Sequence, residues 1–394
     1  MQKKTFSLEP PERLKKLPPY LFREVDRRKR ELRAQGKDVI DLGVGDPDLP
    51  TPDFIIEALG RAARDPKNHR YALDSGLAEL REAFSHWFQN RFQVKLDPEK
   101  EILPLIGSKE GLAHLPLAIL NPGEGALVPD PSYPVYKSAT HLAGGIPYLL
   151  PLLDSQNFLP DFSAVEPEAL EKSRLLFLNY PNNPTAAVAT KEFFERSVAF
   201  AREHGLLISQ DAAYSEMTFD GYVAPSIFEV EGAKEVAVEF HSLSKTYNMT
   251  GWRIGFAAGN QDALQLLAKV KSNVDSGIFQ AIQWAGKAAL EKGRAAYEPT
   301  LKIYQRRRDL FIEGLNRLGW KVPLPRATFY VWIPVPPGYT SAELALKLLE
   351  QAHIVVTPGN GFGPNGEGYL RATLTVPEER LEEALKRIAR LHSS

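Results

Sequence analysis

Between residues 49 and 293 the spacing of apolar residues alternates between two patterns. Apolar residues recur at helical spacing in four segments, residues 54–64, 77–92, 110–120 and 191–204. Short apolar runs, which are typical of buried strands, cover residues 126–128, 175–178, 206–209, 236–240 and 254–258. Because parallel sheets carry helices on both faces, this alternation predicts a large α/β domain over residues 50–293.

The pattern differs after Pro299, where helices and proline-interrupted strands follow one another less regularly. The helices and the strand predicted there lie at residues 306–318, 329–333, 341–352 and 378–391. A helix is also predicted near the N-terminus, at residues 21–35. We therefore predict a smaller α+β domain that is built from both chain ends, residues 1–49 and 294–394.

The composition narrows the possible chemistry. The 394 residues include 48 Lys and Arg against 49 Asp and Glu, a net charge of −1, which argues against a nucleic-acid or membrane partner. Cysteine is absent, so disulfides, thiolate nucleophiles and cysteine-ligated metals are excluded, and the histidines form no metal-ligand pair. The first 14 residues are polar and no apolar run approaches the roughly 18 residues of a spanning helix, which predicts a cytoplasmic protein.

One glycine motif resembles a dinucleotide-binding fingerprint but lacks its context. Gly361, Gly363 and Gly366 have the spacing G-x-G-x-x-G. The fingerprint needs a strand before it and a helix after it, whereas Pro358 precedes this segment and a predicted strand follows it. We therefore do not predict a dinucleotide site here.

The strongest chemical signal lies in the lysine segment, residues 241–255, with the sequence HSLSKTYNMTGWRIG. Lys245 follows a predicted buried strand and has Ser242, Ser244 and Arg253 as neighbours. The hydroxyls and the guanidinium can donate hydrogen bonds to a phosphate, and a lysine of lowered pKa can form a Schiff base with a carbonyl. Taken alone, the segment leaves open that Lys245 is an ordinary solvated loop lysine.

Other predicted strands end in polar groups that would suit the same ligand. Asp211 could pair with a pyridinium nitrogen and Tyr214 could hydrogen-bond a phenolate oxygen. Asn183 follows another strand, and residues 107–111 open a helix whose free N–H groups suit a phosphate. Each group has a loop or capping explanation, but their joint occurrence at the carboxyl ends of strands favours one ligand site.

These segments identify a family resemblance. It is carried by the lysine segment, by the Asp211–Tyr214 strand end, and by the stretches at residues 41–52 (DLGVGDPDLPTP), 106–111 (IGSKEG), 129–136 (PDPSYPVY), 359–363 (GNGFG) and 369–371 (YLR). Over essentially its whole length the chain resembles the class I/II pyridoxal-phosphate-dependent aminotransferases of fold type I, and within them the LL-diaminopimelate aminotransferase group. The resemblance implies the cofactor pyridoxal 5'-phosphate, amino-acid and 2-oxo-acid substrates, and a homodimer with shared active sites.

The resemblance also implies the catalytic roles. Lys245 would carry the cofactor as a Schiff base and later move the proton at the substrate α-carbon, as a positioned general base does. Asp211 would hold the pyridine nitrogen protonated, and Asn183 and Tyr214 would bond the ring oxygen. Tyr133 would stack on the face of the ring.

The remaining expected contacts concern the phosphate and the substrate. The phosphate would be bound by Ser108, Lys109, Ser242, Ser244 and Arg253, with Tyr71 reaching it from the neighbouring subunit. Arg371 would clamp the substrate α-carboxylate, and Tyr20, Gly45, Lys109 and Asn183 would line the substrate pocket. For Tyr20 the alternative is an aromatic residue packed at a helix start, and for Lys109 a position on a helix surface.

Two departures from the family pattern concern the turn after Asn183 and the loop that starts at Tyr71. Ala186 stands at a position where the family has glycine, and a glycine would relax the turn. Residues 71–76 read YALDSG where the close relatives read YPSYEG, which leaves open whether Asp74 replaces the missing glutamate beside a distal ammonium.

The expected reaction is a ping-pong transfer of an amino group to a 2-oxo acid, with 2-oxoglutarate as the expected acceptor. The donor is LL-diaminopimelate or a related amino acid, with aspartate, alanine or an aromatic amino acid as alternatives, and a C–S or β-lyase as a second reaction type. A transcription regulator of the same fold would need an N-terminal DNA-binding domain, for which the roughly 40 residues before Gly43 are too few.

Overall fold

The computed structural model describes residues 8–17 and 23–392. The strands among these residues are β1 Ile40–Asp41, β2 Ile102–Leu105, β3 Gly125–Asp130, β4 Ile146–Pro151, β5 Ser173–Asn179, β6 Leu207–Asp211, β7 Ala237–Ser242, β8 Gly255–Gly259, β9 Tyr330–Pro334, β10 Ile354–Val355, β11 Thr357–Pro358 and β12 Tyr369–Thr373. The helices are α1 Glu12–Lys15, α2 Arg23–Ala34, α3 Asp53–Ala63, α4 Ala78–Phe92, α5 Ser108–Ile119, α6 Val135–Leu142, α7 Pro167–Lys172, α8 Lys191–His204, α9 Ala233–Val236, α10 Leu243–Thr246, α11 Gln261–Val274, α12 Gln280–Lys292, α13 Glu298–Arg317, α14 Ser341–Ala352 and α15 Glu378–His392.

A seven-stranded central sheet has the order β2-β8-β7-β6-β5-β3-β4. Strands β3 to β7 run parallel to one another, and β8 is antiparallel to both of its neighbours, so β2 points the same way as the other five. The sheet is therefore mostly parallel and the predicted α/β class is confirmed.

Both faces of the central sheet are buried, which explains why its strands appear as uninterrupted apolar runs. Along β5, Leu175 and Phe177 belong to one apolar cluster, while Leu176 and Leu178 belong to another. Successive side chains of a strand point to opposite faces, so the two clusters lie on the two sides of the sheet. Water is thus excluded from the strands whose carboxyl ends carry the polar residues.

The two ends of the chain come together outside the central sheet. Strand β1 pairs in parallel with β10, with Ile40 opposite Ile354. Strands β9, β11 and β12 form a separate antiparallel sheet in the order β11-β12-β9. These pairings agree with a smaller domain built from both chain ends, whereas its boundaries at residues 49 and 294 remain predictions.

The predicted helices and strands of the large domain match the structure to within two residues at each end. The basic helix predicted at residues 306–318 begins earlier, at Glu298, because Pro299 lies in its first turn, where the missing N–H costs no hydrogen bond. Helices α6, α11 and α12 and strands β2 and β4 are absent from the sequence-based prediction. The buried face of α12 consists mainly of alanine, glycine and Gln283, so this helix lacks the large apolar residues that reveal a helix.

No helix within the described ranges combines the length and the apolar character that crossing a membrane would need.

An ion pair between the buried Arg307 and the more exposed Asp48 holds the segment after β1 to helix α13. The guanidinium of Arg307 donates to both carboxylate oxygens of Asp48, at 2.7 and 2.9 Å, and to the backbone carbonyl of Leu374 at 3.1 Å. Arg307 is 4% exposed, so its charge depends on this carboxylate. The pair therefore holds residues 43–48, which lie over the carboxyl edge of the central sheet.

Replacing Asp48 by alanine is expected to lower the free energy of unfolding by about 3 kcal/mol, because Arg307 would be left buried without an anionic partner. Urea unfolding at a fixed protein concentration, followed by circular dichroism, measures the change. Glu313→Ala is the control, since Glu313 and its partner Arg317 are each 70% exposed, and a loss below about 0.5 kcal/mol is expected there. Equal losses in the two variants would contradict the role given to burial.

Candidate active site

The polar residues predicted from the sequence gather at one edge of the central sheet. Because β2, β3, β5, β6 and β7 point the same way, their carboxyl ends meet there. The residues that end or follow these strands are Ser108 after β2, Tyr133 after β3, Asn183 after β5, Asp211 at the end of β6 and Lys245 after β7. The edge therefore collects side chains that are far apart in the sequence.

Lys245 lies in the short helix α10 with its ammonium turned inward. The Nζ atom donates a hydrogen bond of 3.0 Å to the carbonyl of Gly45 and lies 5.8 Å from the centre of the Phe329 ring. Burial lowers the pKa of Lys245 to about 8, and the positive charges of Arg253 and Arg371 act in the same direction. A far larger fraction of this amine is neutral near pH 7 than for a solvated lysine, which suits a nucleophile or a base.

Asp211 is buried and held by neutral donors. The hydroxyl of Tyr136 donates to Oδ2 at 2.7 Å, and the backbone N–H of Ala213 donates to Oδ1 at 3.1 Å. Burial raises the pKa of Asp211 to about 6, although both hydrogen bonds favour the ionised form. The carboxylate therefore gains from a cationic partner such as a protonated ring nitrogen.

Tyr214 shares a hydrogen bond with a tyrosine to which sequence reasoning assigned no role. Its hydroxyl lies 2.8 Å from that of Tyr330, and burial raises the pKa of Tyr214 well above its usual value. A Cβ atom on Gly45 would lie 2.3 Å from the Tyr330 hydroxyl, so glycine is needed at that position. No motif distinguishes Tyr330 from the other aromatic residues of the core.

Arg371 is a buried cation without an anionic partner. Its Nη1 donates to Oδ1 of Asn183 at 2.8 Å and its Nη2 to the carbonyl of Gly43 at 2.7 Å. The rings of Tyr330 and Phe362 lie 4.3 and 4.7 Å from the guanidinium carbon. Among the described residues Nε has no acceptor and no carboxylate lies within ion-pair distance. The guanidinium is thus ready to bind the carboxylate of a ligand.

The start of helix α5 forms a cradle for an anion. In the described part of the chain, the N–H groups of Ser108 and Lys109 have no acceptor. Gly107 has φ +75°, and its backbone lies directly against Arg253. A Cβ atom on Gly107 would lie only 2.4 Å from Nη2 of the arginine. Arg253 is itself at φ 56°, and its Nη1 donates to the carbonyl of Thr250. Free N–H groups and a guanidinium at a helix start suit a phosphate.

The hydroxyls of the lysine segment lie beside this cradle. Ser242 pairs with Gly255 in the sheet, and a Cβ on Gly255 would lie 2.7 Å from the backbone nitrogen of Ser108. The hydroxyl oxygen of Ser242 accepts the N–H of Ser244 at 3.2 Å. The hydroxyl of Ser244 is buried and has no partner among the described residues. An unpaired buried donor beside free N–H groups fits a phosphate with several oxygens.

The other predicted site residues make fewer contacts with the groups at this edge of the sheet. Tyr133 is half-buried, and its ring lies 5.8 Å from that of Tyr136 in an edge-on contact. Lys109 is exposed, so the choice between a substrate contact and a helix surface remains open. Tyr71 is 94% exposed and makes no hydrogen bond within the described chain. Tyr20 lies outside the described residues.

The alanine that replaces the family's glycine adopts the glycine conformation. Ala186 has φ 59°, and its N–H donates to the carbonyl of Asn182 at 3.0 Å. A residue with a side chain costs about 1–2 kcal/mol in this region. The turn is nevertheless closed by a second bond, from the N–H of Asn182 to the carbonyl of Ala187, so the backbone beside Asn183 is preserved.

A cluster of two carboxylates and a histidine lies between helices α5 and α11. Potential metal-ligand atoms of Glu110, His114 and Asp275 lie within 4.8 Å of one another. The ammonium of Lys271 donates to Asp275 at 2.7 Å and to Glu110 at 3.1 Å. Lys271 is fully buried and its ammonium pairs with both carboxylates, so its charge offsets one of the two negative charges. The cluster is an ion-pair network that joins helices α5 and α11.

Comparison with known proteins agrees with this geometry. Residues 37–388 match the family model described as aminotransferase class I and II. The LL-diaminopimelate aminotransferase of Syntrophobacter fumaroxidans is 56% identical over 380 residues, which cover 96% of this chain and 98% of that protein. The LL-diaminopimelate aminotransferase of Aquifex aeolicus is 52% identical over 96% of this chain and 98% of its own length.

Solved structures of similar proteins have the same fold. Substrate-bound BacF of Bacillus subtilis superimposes with a TM-score of 0.94 at 40% identity, over 98% of both chains. A probable N-succinyldiaminopimelate aminotransferase of Thermus thermophilus gives a TM-score of 0.90 at 39% identity, over 94% of this chain and 99% of that one. The match to the family model, the relatives and the fold confirm the resemblance that the motifs predict: the chain belongs to the class I and II aminotransferase family.

Proposed function

We propose that the chain is a pyridoxal-phosphate-dependent aminotransferase that takes the amino group of LL-diaminopimelate, or of a related amino acid, and gives it to 2-oxoglutarate by a ping-pong mechanism. The observation that carries the proposal is the identity of 56% with an LL-diaminopimelate aminotransferase over 96% of this chain. The site supports it with a partly neutral lysine, a buried carboxylate and a buried guanidinium whose hydrogen-bond partners among the described residues are neutral. A cytoplasmic location remains a prediction from the sequence.

Bound pyridoxal phosphate would supply an aldehyde that condenses with amines and a protonated ring that withdraws electrons from the substrate α-carbon. The residues present fit its parts. Ser108, Lys109, Ser242, Ser244 and Arg253 would hold the phosphate, and Tyr133 would lie against the ring. In this proposal Asp211 keeps the ring nitrogen protonated, because an ionised carboxylate stabilises a neighbouring cation in a dry site.

Lys245 acts twice in the proposed reaction. Its neutral amine would hold the cofactor covalently, which requires it to leave the carbonyl of Gly45 that it now contacts at 3.0 Å. When its Nζ is free, Lys245 would act as the base that takes the proton from the substrate α-carbon and would give a proton back on the same side. A lowered pKa keeps the amine available as a base, and its attachment to α10 limits its movement to the side-chain torsions.

Arg371 and its neighbours orient the substrate. The guanidinium would bind the α-carboxylate with two parallel hydrogen bonds. Its Nε has no acceptor among the described residues, so this N–H is available to a ligand. Asn183 contacts Arg371 at 2.8 Å and, together with Tyr214, would reach the ring oxygen. This fixed geometry would direct the α-hydrogen toward Lys245.

A homodimer with shared sites accounts for the exposure of Tyr71. Tyr71 is 94% exposed, and the neighbouring apolar residues Leu73, Val274 and Phe279 are 74%, 60% and 44% exposed. The two segments touch, since a Cβ on Gly277 would lie 2.3 Å from the carbonyl of Leu73. We assign this surface to a second copy of the chain, with Tyr71 reaching the partner's phosphate.

Residues 71–76 would contribute to the choice of the amino acid that donates the amino group. Buried Arg81 holds the base of this loop through the carbonyls of Ser75 and Gly76, at 3.0 and 2.8 Å. The loop is therefore anchored at its base, while Tyr71 and Leu73 are exposed and would face the site of the proposed partner. Asp74 is the carboxylate that would meet the second ammonium of LL-diaminopimelate.

The purified protein with pyridoxal phosphate is expected to form glutamate from LL-diaminopimelate and 2-oxoglutarate faster than from aspartate, alanine or aromatic amino acids. Initial rates over a series of donor concentrations give kcat/KM for each. A higher kcat/KM for another donor would reassign the substrate while keeping the aminotransferase. Pyruvate and ammonia formed without an acceptor from an amino acid that carries a thiol or thioether leaving group on Cβ would instead indicate a lyase.

Replacing Lys245 by alanine is expected to lower kcat by at least about a thousandfold, because both the attachment and the proton transfer are lost. Absorption spectra of the protein with pyridoxal phosphate should also lose the visible band of the lysine-bound cofactor. Lys302→Ala is the control, since that lysine is 69% exposed on α13. Retention of the band in the Lys245 variant would refute the proposed attachment.

The rate of cofactor attachment is expected to rise with pH and to level off above about pH 8. Only the neutral amine of Lys245 attacks the aldehyde, and burial lowers its pKa to about 8 from an ordinary 10.5. Stopped-flow absorbance on mixing cofactor-free protein with pyridoxal phosphate over roughly pH 6–10 measures the midpoint. A midpoint near that of a solvated lysine would show that burial does not activate the amine.

A further inference from the structure

The hydroxyl of Tyr136 has one partner in the described structure, and that partner is Asp211. Tyr136 lies in helix α6 and is fully buried. Its ring stacks on that of Phe177 in β5, with centroids 4.9 Å apart and planes 16° apart. The hydroxyl donates to Oδ2 of Asp211 at 2.7 Å. The ring packing therefore aims the hydroxyl at the carboxylate.

The carboxylate of Asp211 is held at both oxygens. Oδ1 accepts the N–H of Ala213 at 3.1 Å, while Oδ2 accepts the hydroxyl of Tyr136. Two donors on different oxygens resist rotation about the Cβ–Cγ bond. Each carboxylate oxygen can accept a further hydrogen bond, so the group stays able to bind a cation.

We propose that Tyr136 is a positioning residue for Asp211: its hydroxyl keeps this buried carboxylate ionised and oriented toward the ring nitrogen of the cofactor. The proposal rests on the proposed function, because it assigns Asp211 to that nitrogen. In this proposal Tyr136 acts through Asp211, the one group that its hydroxyl contacts among the described residues.

The physical reason is the low polarity around Asp211. Burial favours the neutral acid and raises the pKa of Asp211 to about 6, while the Tyr136 hydrogen bond opposes this shift. Burial also raises the pKa of Tyr136 well above 10, so the hydroxyl stays a donor throughout the pH range in which Asp211 titrates. Without the hydroxyl, Asp211 would remain protonated to higher pH and would bind a ring cation less well.

Other titratable groups face Asp211 as well. Tyr133 approaches from the segment before α6, Tyr214 from the loop after β6, His241 from β7 and Lys245 from α10. A change of pH over the tested range also alters the charge of Lys245, whose pKa burial lowers to about 8. Comparing two variants at the same pH removes their shared contribution, so the ratio of affinities reports on Tyr136.

Tyr136→Phe tests the proposal, because it keeps the stacked ring and removes only the oxygen. The probe is pyridoxamine 5'-phosphate, the aminated form of the cofactor, which has no aldehyde and so binds without attaching to Lys245. Equilibrium dialysis of the cofactor-free protein gives its dissociation constant over roughly pH 5.5–9. We expect binding about tenfold weaker than wild type near pH 6.5, and a clearly smaller loss near pH 9, where Asp211 ionises without help.

Tyr222→Phe is the matched control, since the Tyr222 hydroxyl donates to the carbonyl of Ala189 at 3.0 Å. It should leave the dissociation constant unchanged at every pH. A Tyr136 variant that binds like wild type, or that binds more weakly by the same factor at every pH, would overturn the proposal. A wild-type protein that fails to bind the probe would instead refute the proposed function.

A double variant tests whether Tyr136 acts through the charge of Asp211 or through packing. In Asp211→Asn no charge remains for Tyr136 to stabilise, so adding Tyr136→Phe should not weaken binding further at any pH. A further loss in the double variant would show that Tyr136 acts on packing and would overturn the proposal. Unfolding temperatures of the cofactor-free variants establish which of them are folded.

Discussion

Desolvation at the carboxyl edge of the central sheet is the constraint on which the chemistry depends. Both faces of the sheet are covered by apolar clusters, so the side chains that follow its strands lie in a medium of low polarity. The same burial lowers the pKa of Lys245 to about 8 and raises that of Asp211 to about 6. It also leaves Arg371 as a cation with neutral partners. Each of these groups gains when a ligand of complementary charge arrives.

The segment that covers this edge is fixed by polar contacts to distant parts of the chain. Carbonyl oxygens of Gly43 and Gly45 accept from Arg371 and Lys245. The Asp48–Arg307 pair holds the same segment to helix α13. The pocket thus combines elements from the beginning, middle and end of the sequence. Its shape depends on the association of the chain ends as much as on the central sheet.

Sequence reasoning succeeded where the chemistry is carried by residues adjacent in the chain. Alternating apolar runs predict the parallel sheet, and strands β3, β5, β6, β7 and β8 lie where those runs indicate. The lysine segment groups Lys245 with Ser242, Ser244 and Arg253, so its relation to a phosphate is visible without a structure. Asp211 is visible as a polar residue at a strand end, whereas Arg371 is visible only through the family resemblance, because it stands alone in its strand.

The sequence by itself determined the fold class, the family and the residues that carry charge to the site, because apolar periodicity and local motifs are properties of neighbouring residues. Only the tertiary structure decided which groups touch. Tyr136 reaches Asp211, and Tyr330 reaches Tyr214, across 75 and 116 residues of sequence. Such contacts depend on how helices and strands pack, and a buried tyrosine looks the same in the sequence whether its hydroxyl meets a catalytic carboxylate or a backbone carbonyl.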